Sequence, residues 1–408
     1  MTLPALERRV VVCVGCGGVG KTTVAAAIAL EAARAGRRAL VITIDPARRL
    51  ADALGVKSLG NQPEPLPRAQ LDALGVPPEG ELSALMLDMK RTFDDLVARF
   101  AESETARDHV LHNPIYRHVS DALAGSVEYS AMEKVYELSR SDAYDTLVVD
   151  TPPAQHALDF LDAPERLLEF LDSRLVKVLI HPAMVAGRLG ARWFEWGTRR
   201  AFALIERITG IGFLSDVSEF LMAFEHMSEG FRARAREVRS LLLGPTAAFV
   251  LVASPETESV KQAQGFLARL EASSVRVAGI VVNRVRTWPD DAPAPSLDGA
   301  DPAPLARALA REDPNLPAER AARAAIDAAA RYAALVRRDA TALVALREHA
   351  ERRGSFFRVV PEQHGDVHDL SGLQQVAAAL AQAPDVRGEE SETVAVRSQR
   401  GGRRGTAS

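Results

Sequence analysis

Cysteine is nearly missing from this chain: Cys13 and Cys16 are the two in 408 residues. Their C-x-x-C spacing cannot by itself supply the four ligands of a structural zinc site. A redox pair would place its attacking thiol at a helix N-terminus, whereas Cys13 sits in a candidate strand and Cys16 in a loop. The spacing is read as coincidence, with redox inactivation of the loop as the alternative. Long apolar runs are missing too. The longest, Leu241–Ala253, is broken by Gly244-Pro245 and is shorter than the about 18 residues a membrane span needs. Met1–Arg9 carries charge and no apolar run, so no signal peptide is expected. These absences predict a cytoplasmic protein without stable membrane insertion. Neither sign of charge dominates: 50 basic against 54 acidic residues leave a net charge of -4, which offers nucleic acid no basic surface. Lysine is scarce beside arginine and alanine is abundant, a compositional bias without functional content.

What is present starts with apolar residues, 47% of the chain and enough for a sizeable core. The informative stretch is Gly15–Thr23, Gly-Cys-Gly-Gly-Val-Gly-Lys-Thr-Thr. It fits the phosphate-loop pattern G-x-x-x-x-G-K-[ST] from Gly15 through Thr22. A β-branched run, Val10–Val14, precedes it and an Ala-rich helix, Thr23–Ala35, follows. Glycines let the backbone close around phosphates, and amide N–H groups point inward at the positive end of the helix. Gly15, Gly17, Gly18, Val19, Gly20, Lys21, Thr22 and Thr23 are therefore the candidate ATP-binding residues. Lys21 would supply a cation to the β- and γ-phosphates, and the Thr22 hydroxyl suits Mg²⁺.

Other strand ends carry candidate partners. Ala39–Ile44 ends in Asp45-Pro46-Ala47-Arg48-Arg49. A carboxylate there faces the ligand crevice of an open α/β sheet and can orient a water; Asp before Pro is also a common helix start, and both readings stand. Thr146–Val149 closes with Asp150-Thr151-Pro152-Pro153, the apolar strand and acid that complete a phosphate-loop site. Asp150 would hold Mg²⁺ through a water. Arg276–Val282 ends in Asn283-Arg284; Asn283 suits an adenine edge or a turn. Asn61–Gly80 reads as loop, Leu85–Asp88 as a short strand, and Lys90–Ser139 as mostly helical.

The remaining chain predicts a helical segment from Pro164 to Leu243, rich in large apolar residues over Trp193–Phe231. Those form either a core or a groove for an apolar helix. The expected organisation is one ATPase domain over 8–383. It carries an all-helical insertion at about 160–243 and a Pro/Asp-rich linker at 287–304. A polar tail, 384–408, is read as disordered. Alternation of strand and helix argues for α/β architecture, a mostly parallel sheet flanked by helices.

On these residues the chain resembles the arsenical-pump and tail-anchored-protein-targeting ATPases. This ArsA-like family belongs to the deviant phosphate-loop group with MinD and ParA. Gly15–Thr23 matches its loop, Asp45-Pro46-Ala47 with Leu50 and Asp52 its first switch, and Asp150–Pro153 with His156 its second. Asn283 and the Pro361 loop match its adenine contacts.

The resemblance implies a Mg²⁺-dependent ATPase that closes on ATP as a homodimer. In it Asp45 positions water, Thr22 ligates metal and Asp150 supports it. The resemblance does not settle the partner of the helical region; the aromatic and Met content of Trp193–Phe231 points to a hydrophobic protein client. Cys16 stands where the family pattern has a signature lysine. That substitution predicts slow hydrolysis, or a replacement cation from Arg48 or Arg49. Arsenite pumping is not expected, because both cysteines belong to the nucleotide loop region. No further C-x-x-C exists for an inter-subunit zinc or an iron–sulfur cluster. A nucleotide-binding scaffold with little hydrolysis is the competing function; positioning on DNA or membrane is the weaker third.

Overall fold

The computed structural model describes residues 3–45, 47–101, 103–113, 116, 126–152, 229–230, 232–273, 275–363, 365 and 369–382. Eight strands form one sheet. They are β1 (Val10–Gly15), β2 (Arg38–Thr43), β3 (Glu64–Pro65), β4 (Glu81–Met86), β5 (Thr146–Asp150), β6 (Ala247–Ala253), β7 (Val277–Val285) and β8 (Phe356–Pro361). Their order is β3-β4-β2-β5-β1-β6-β7-β8, and every pairing except β3–β4 is parallel. The mostly parallel sheet flanked by helices is thus the observed architecture.

Strands covered on both faces must be apolar throughout rather than alternating. β1 meets that condition, as does the centre of β5, residues 147–149, and every residue of both strands is buried. The helix Lys21–Arg34 packs on β2, β5 and the helix Leu370–Ala381. Alanine makes up six of its ten buried residues, beside Lys21, Val24, Ile28 and Leu30, so its backbone lies close to its neighbours. A 36-residue helix, Ala318–Arg353, packs on β7, β8 and the helix Thr257–Ala272. Its fully buried Asp339 accepts from the Arg286 backbone N–H at 3.2 Å and pairs with the Arg286 guanidinium at 3.1 Å. Arg286 also reaches Glu362 at 3.2 Å. A buried carboxylate needs such pairing, and Arg286 thereby ties the chain just after β7 to the long helix and, through Glu362, to the chain just after β8.

Two local expectations are corrected. Asn61–Gly80 is not all loop: it holds the edge strand β3 and the helix Arg68–Ala73. Pro65 costs the sheet little because an edge strand can leave one N–H side unpaired, and Pro67 stands at the helix N-cap. β4 starts at Glu81, four residues ahead of the expected Leu85, because buried Ser83 extends the pairing with β2. Of the expected helical insertion at 160–243, residues 160–228 and 231 lie outside the described residues, as do Pro153, His156 and the tail 384–408; residues 232–243 are helical.

One glycine of the loop motif is fixed by the sheet itself. A Cβ on Gly15 would stand 2.1 Å from the Val252 carbonyl oxygen of the adjacent strand β6. That neighbour is backbone and cannot swing aside. Gly15→Ala is expected to destabilise the protein by about 1–3 kcal/mol, the usual cost of overpacking. Urea unfolding of the two proteins measures it; equal midpoints would contradict the close approach.

Candidate nucleotide site

Register builds the site. β1, β5 and β2 are neighbours, and both Cys13 and Thr43 stand opposite Asp150. The segments leaving β1, β2, β5 and β7 therefore emerge at one edge, the carboxyl ends of the strands, where open α/β sheets bind ligands. After β1 the chain turns through Gly18 (φ 79°) and Gly20 (φ 88°), left-handed conformations that disfavour a side chain. Gly20 is the N-cap of the helix Lys21–Arg34, and no side chain caps it. Its first amide donors remain available to an anion. Lys21 opens the helix, is 8% exposed, and donates from Nζ to the Cys16 carbonyl oxygen at 2.8 Å. Burial pushes its ammonium below the ordinary lysine range, opposed chiefly by the Asp150 carboxylate.

Asp150 is the buried centre of the arrangement, 1% exposed. Its Oδ2 accepts from Thr22 Oγ1 at 2.7 Å and from Thr43 Oγ1 at 2.9 Å. Its Oδ1 is buried and, among the described residues, has no hydrogen-bond partner. Burial raises its carboxyl to about 6, against the two threonine hydroxyls and Lys21, which pull it down. An orphaned carboxylate oxygen beside a threonine hydroxyl is an oxygen donor set of the kind a hard divalent cation takes. Among the described residues no three His, Cys, Asp or Glu side chains cluster as a metal cage. Mg²⁺ fits such a site, since it draws most of its ligands from water and substrate phosphates.

Asp45 follows β2 by two residues. Its Oδ1 accepts from the Ala47 N–H at 3.0 Å, an Asx turn, and its Oδ2 faces Arg49 at 3.4 Å. It acts electrostatically on both Lys21 and Asp150, so the two switch carboxylates and the lysine share one locality. Arg48 and Arg49 are exposed at the start of the short helix Arg49–Ala53, with Arg49 tied to Asp45 of the same chain. Cys13 and Cys16 are free and buried, and burial raises both thiols above the ordinary range. Neither has the stabilised thiolate a reactive cysteine needs.

Asn283 is buried and donates from Nδ2 to the Val19 carbonyl oxygen at 2.9 Å. It lies so close to Gly20 that a Cβ there would meet Nδ2 at 2.2 Å. Pro361 ends β8 opposite Val285, its carbonyl held by Gln363 Nε2 at 2.9 Å. Thr43 and Arg284 were not anticipated as site residues. Thr151 Oγ1 donates to the Cys13 carbonyl oxygen at 2.8 Å and fixes the start of the segment after β5 to β1. Arg284 donates from Nη1 to the Gly18 carbonyl oxygen at 3.2 Å. No local signal marks Thr43 or Arg284; both depend on strand register.

The anion-transporting ATPase family matches residues 8–296, most of the chain. The chain belongs to that family. Like other members of the anion-transporting ATPase family, it is a phosphate-loop protein of the ArsA-like kind. A putative arsenical pump-driving ATPase of Halobacterium salinarum is 31% identical over 172 residues, 42% of this chain and 26% of that protein. ATPase get3 of Neurospora crassa is 27% identical over 272 residues, 66% of this chain and 71% of that protein. An uncharacterized protein of Streptomyces coelicolor is 34% identical over 181 residues, 44% of this chain and 42% of that protein. Among the described residues no helix is long and apolar enough to cross a membrane.

Proposed function

We propose that this chain is a Mg²⁺-dependent ATPase that works as a dimeric conformational switch. One observation carries the reading: the buried, unpartnered Oδ1 of Asp150, set beside Thr22 at the mouth of the phosphate loop. In this reading the loop amides and Lys21 hold the β- and γ-phosphates of ATP. Thr22 and Asp150 would hold Mg²⁺, Asp150 through a water, and the ion would supply charge neutralisation at the phosphates. Asp45 orients the attacking water. Asn283 and the Pro361 segment hold adenine; for that, the Asn283 amide exchanges its bond to Val19 for the base. The two switch segments follow β2 and β5, which flank each other in the sheet. Loss of the γ-phosphate releases both together. The unit doing this is the domain 8–383, with 160–243 as the client-facing part and an apolar protein segment as the client. The relatives named ATPase get3 support the ATPase part of this reading. Arsenite is not the cargo proposed, since both cysteines are buried and lack stabilised thiolates.

A second reading, a nucleotide-bound scaffold with little hydrolysis, is favoured by one observation. Cys16 is buried and cannot carry a cation to a partner's nucleotide. Steady-state ATP hydrolysis separates the two. Asp150→Asn, which keeps the shape and loses the charge, is expected to raise the magnesium requirement for hydrolysis about 10–100-fold, the usual cost of losing an outer-shell metal partner. An unchanged magnesium dependence would remove Asp150 from the metal site. Mass by light scattering in ATP against ADP tests the dimer, which fails if both states are monomeric.

A further inference from the structure

Arg284 has a backbone that its residue type disfavours. Its φ is 60°, one of two positive values at non-glycine residues among those described. A Cβ makes that region unfavourable for an L-residue, so such positions cluster where a site demands them. The cause is visible in the sheet. The pairing of β7 with β8 shifts register between Val282 and Val285, an irregularity spanning Asn283 and Arg284. Bulges of this kind bend a strand and re-aim a side chain, often beside a binding site. Here the guanidinium is carried to the crown of the phosphate loop, where Nη1 donates to the Gly18 carbonyl oxygen at 3.2 Å. Gly18 is exposed, and no heavy atom lies within 4 Å of where its Cβ would be.

We propose that Arg284 is a second nucleotide-binding cation, acting in cis. On binding, its guanidinium turns from the Gly18 carbonyl to the polyphosphate tail and shares with Lys21 the charge of that tail. Arginine suits this task because its planar donors match phosphate oxygens and it cannot deprotonate. The irregular pairing of β7 with β8 aims the side chain.

The inference rests on the ATPase reading, and one set of titrations separates their failures. Mg-ATP, Mg-ADP and adenosine are titrated into the unaltered chain, Arg284→Gln, Arg284→Lys and Arg284→Gly. Arg284→Gln is expected to lose about ten- to a hundredfold in affinity for ATP and ADP, the range for a hydrogen bond between charged groups. Its adenosine affinity stays the same, and Arg284→Lys recovers part of the loss. Arg284→Gly relieves the left-handed backbone, so its melting temperature holds or rises while its ATP affinity falls. A purely structural arginine would not give that split. If the unaltered chain binds ATP and Arg284→Gln binds it equally well, this inference is overturned and the ATPase reading stands. Equal losses for ATP and adenosine would also overturn it. If the unaltered chain binds no Mg-ATP, both fall.

Discussion

Asp45→Asn is expected to lower ATP turnover about 10²–10⁴-fold, the range for losing a positioned acid–base group, while leaving ATP affinity nearly unchanged. The substitution suits the geometry. Asn keeps an oxygen for the Ala47 N–H, so the turn after β2 survives. It loses the charge that faces Arg49 and acts on Lys21 and Asp150. A carboxylate that only shapes the chain would tolerate this change. One that orients water against a γ-phosphate would not. Comparing single-turnover rates with equilibrium affinity for both proteins decides between the two readings that the sequence left open. Undiminished turnover would return Asp45 to a turn-forming role.

Lys21→Ala is expected to remove both triphosphate affinity and turnover, the latter by about 10²–10³-fold, as for loss of one preorganised charge-stabilising donor. Lys21 is buried and its ammonium rests on the Cys16 carbonyl, a place it can leave for phosphate oxygens. Its burial is unfavourable for the charge, so truncation need not unfold the helix it opens; thermal melts of the variant check this. The contrast with Asp45→Asn is diagnostic, since one variant loses binding and rate and the other only rate. A Lys21→Ala protein with normal affinity for ATP would place the triphosphate elsewhere.

The nucleotide loop was legible because every local signal agrees. The Val10–Val14 run demands a buried strand, Gly18 and Gly20 sit at left-handed positions, and the lysine and threonine open an uncapped helix. Asp150 was legible as the acid ending an apolar strand. Its partner Thr43 was not, because that bond joins residues 107 apart and exists only through the register of β2 with β5. Arg284 was hidden for the same reason: its aim depends on an irregular pairing with β8. The Pro/Gly content of Asn61–Gly80 concealed β3 and its following helix, since turn-forming residues mask a short edge strand when local composition is the only guide. Arg48 and Arg49 were drawn from sequence proximity to the first switch; in the fold Arg49 faces Asp45 of the same chain, and Arg284 is the arginine that contacts the loop.

At the centre stands a simple arrangement: one ammonium, one uncapped helix start and two strand-end carboxylates at the carboxyl edge of the sheet. Isothermal titration of ATP into the full chain, with magnesium and again with a chelator, tests it most directly. Saturable binding that tightens with magnesium, that ADP displaces and that Lys21→Ala abolishes is the expected result. Absence of any magnesium-dependent affinity for adenine nucleotides would contradict it.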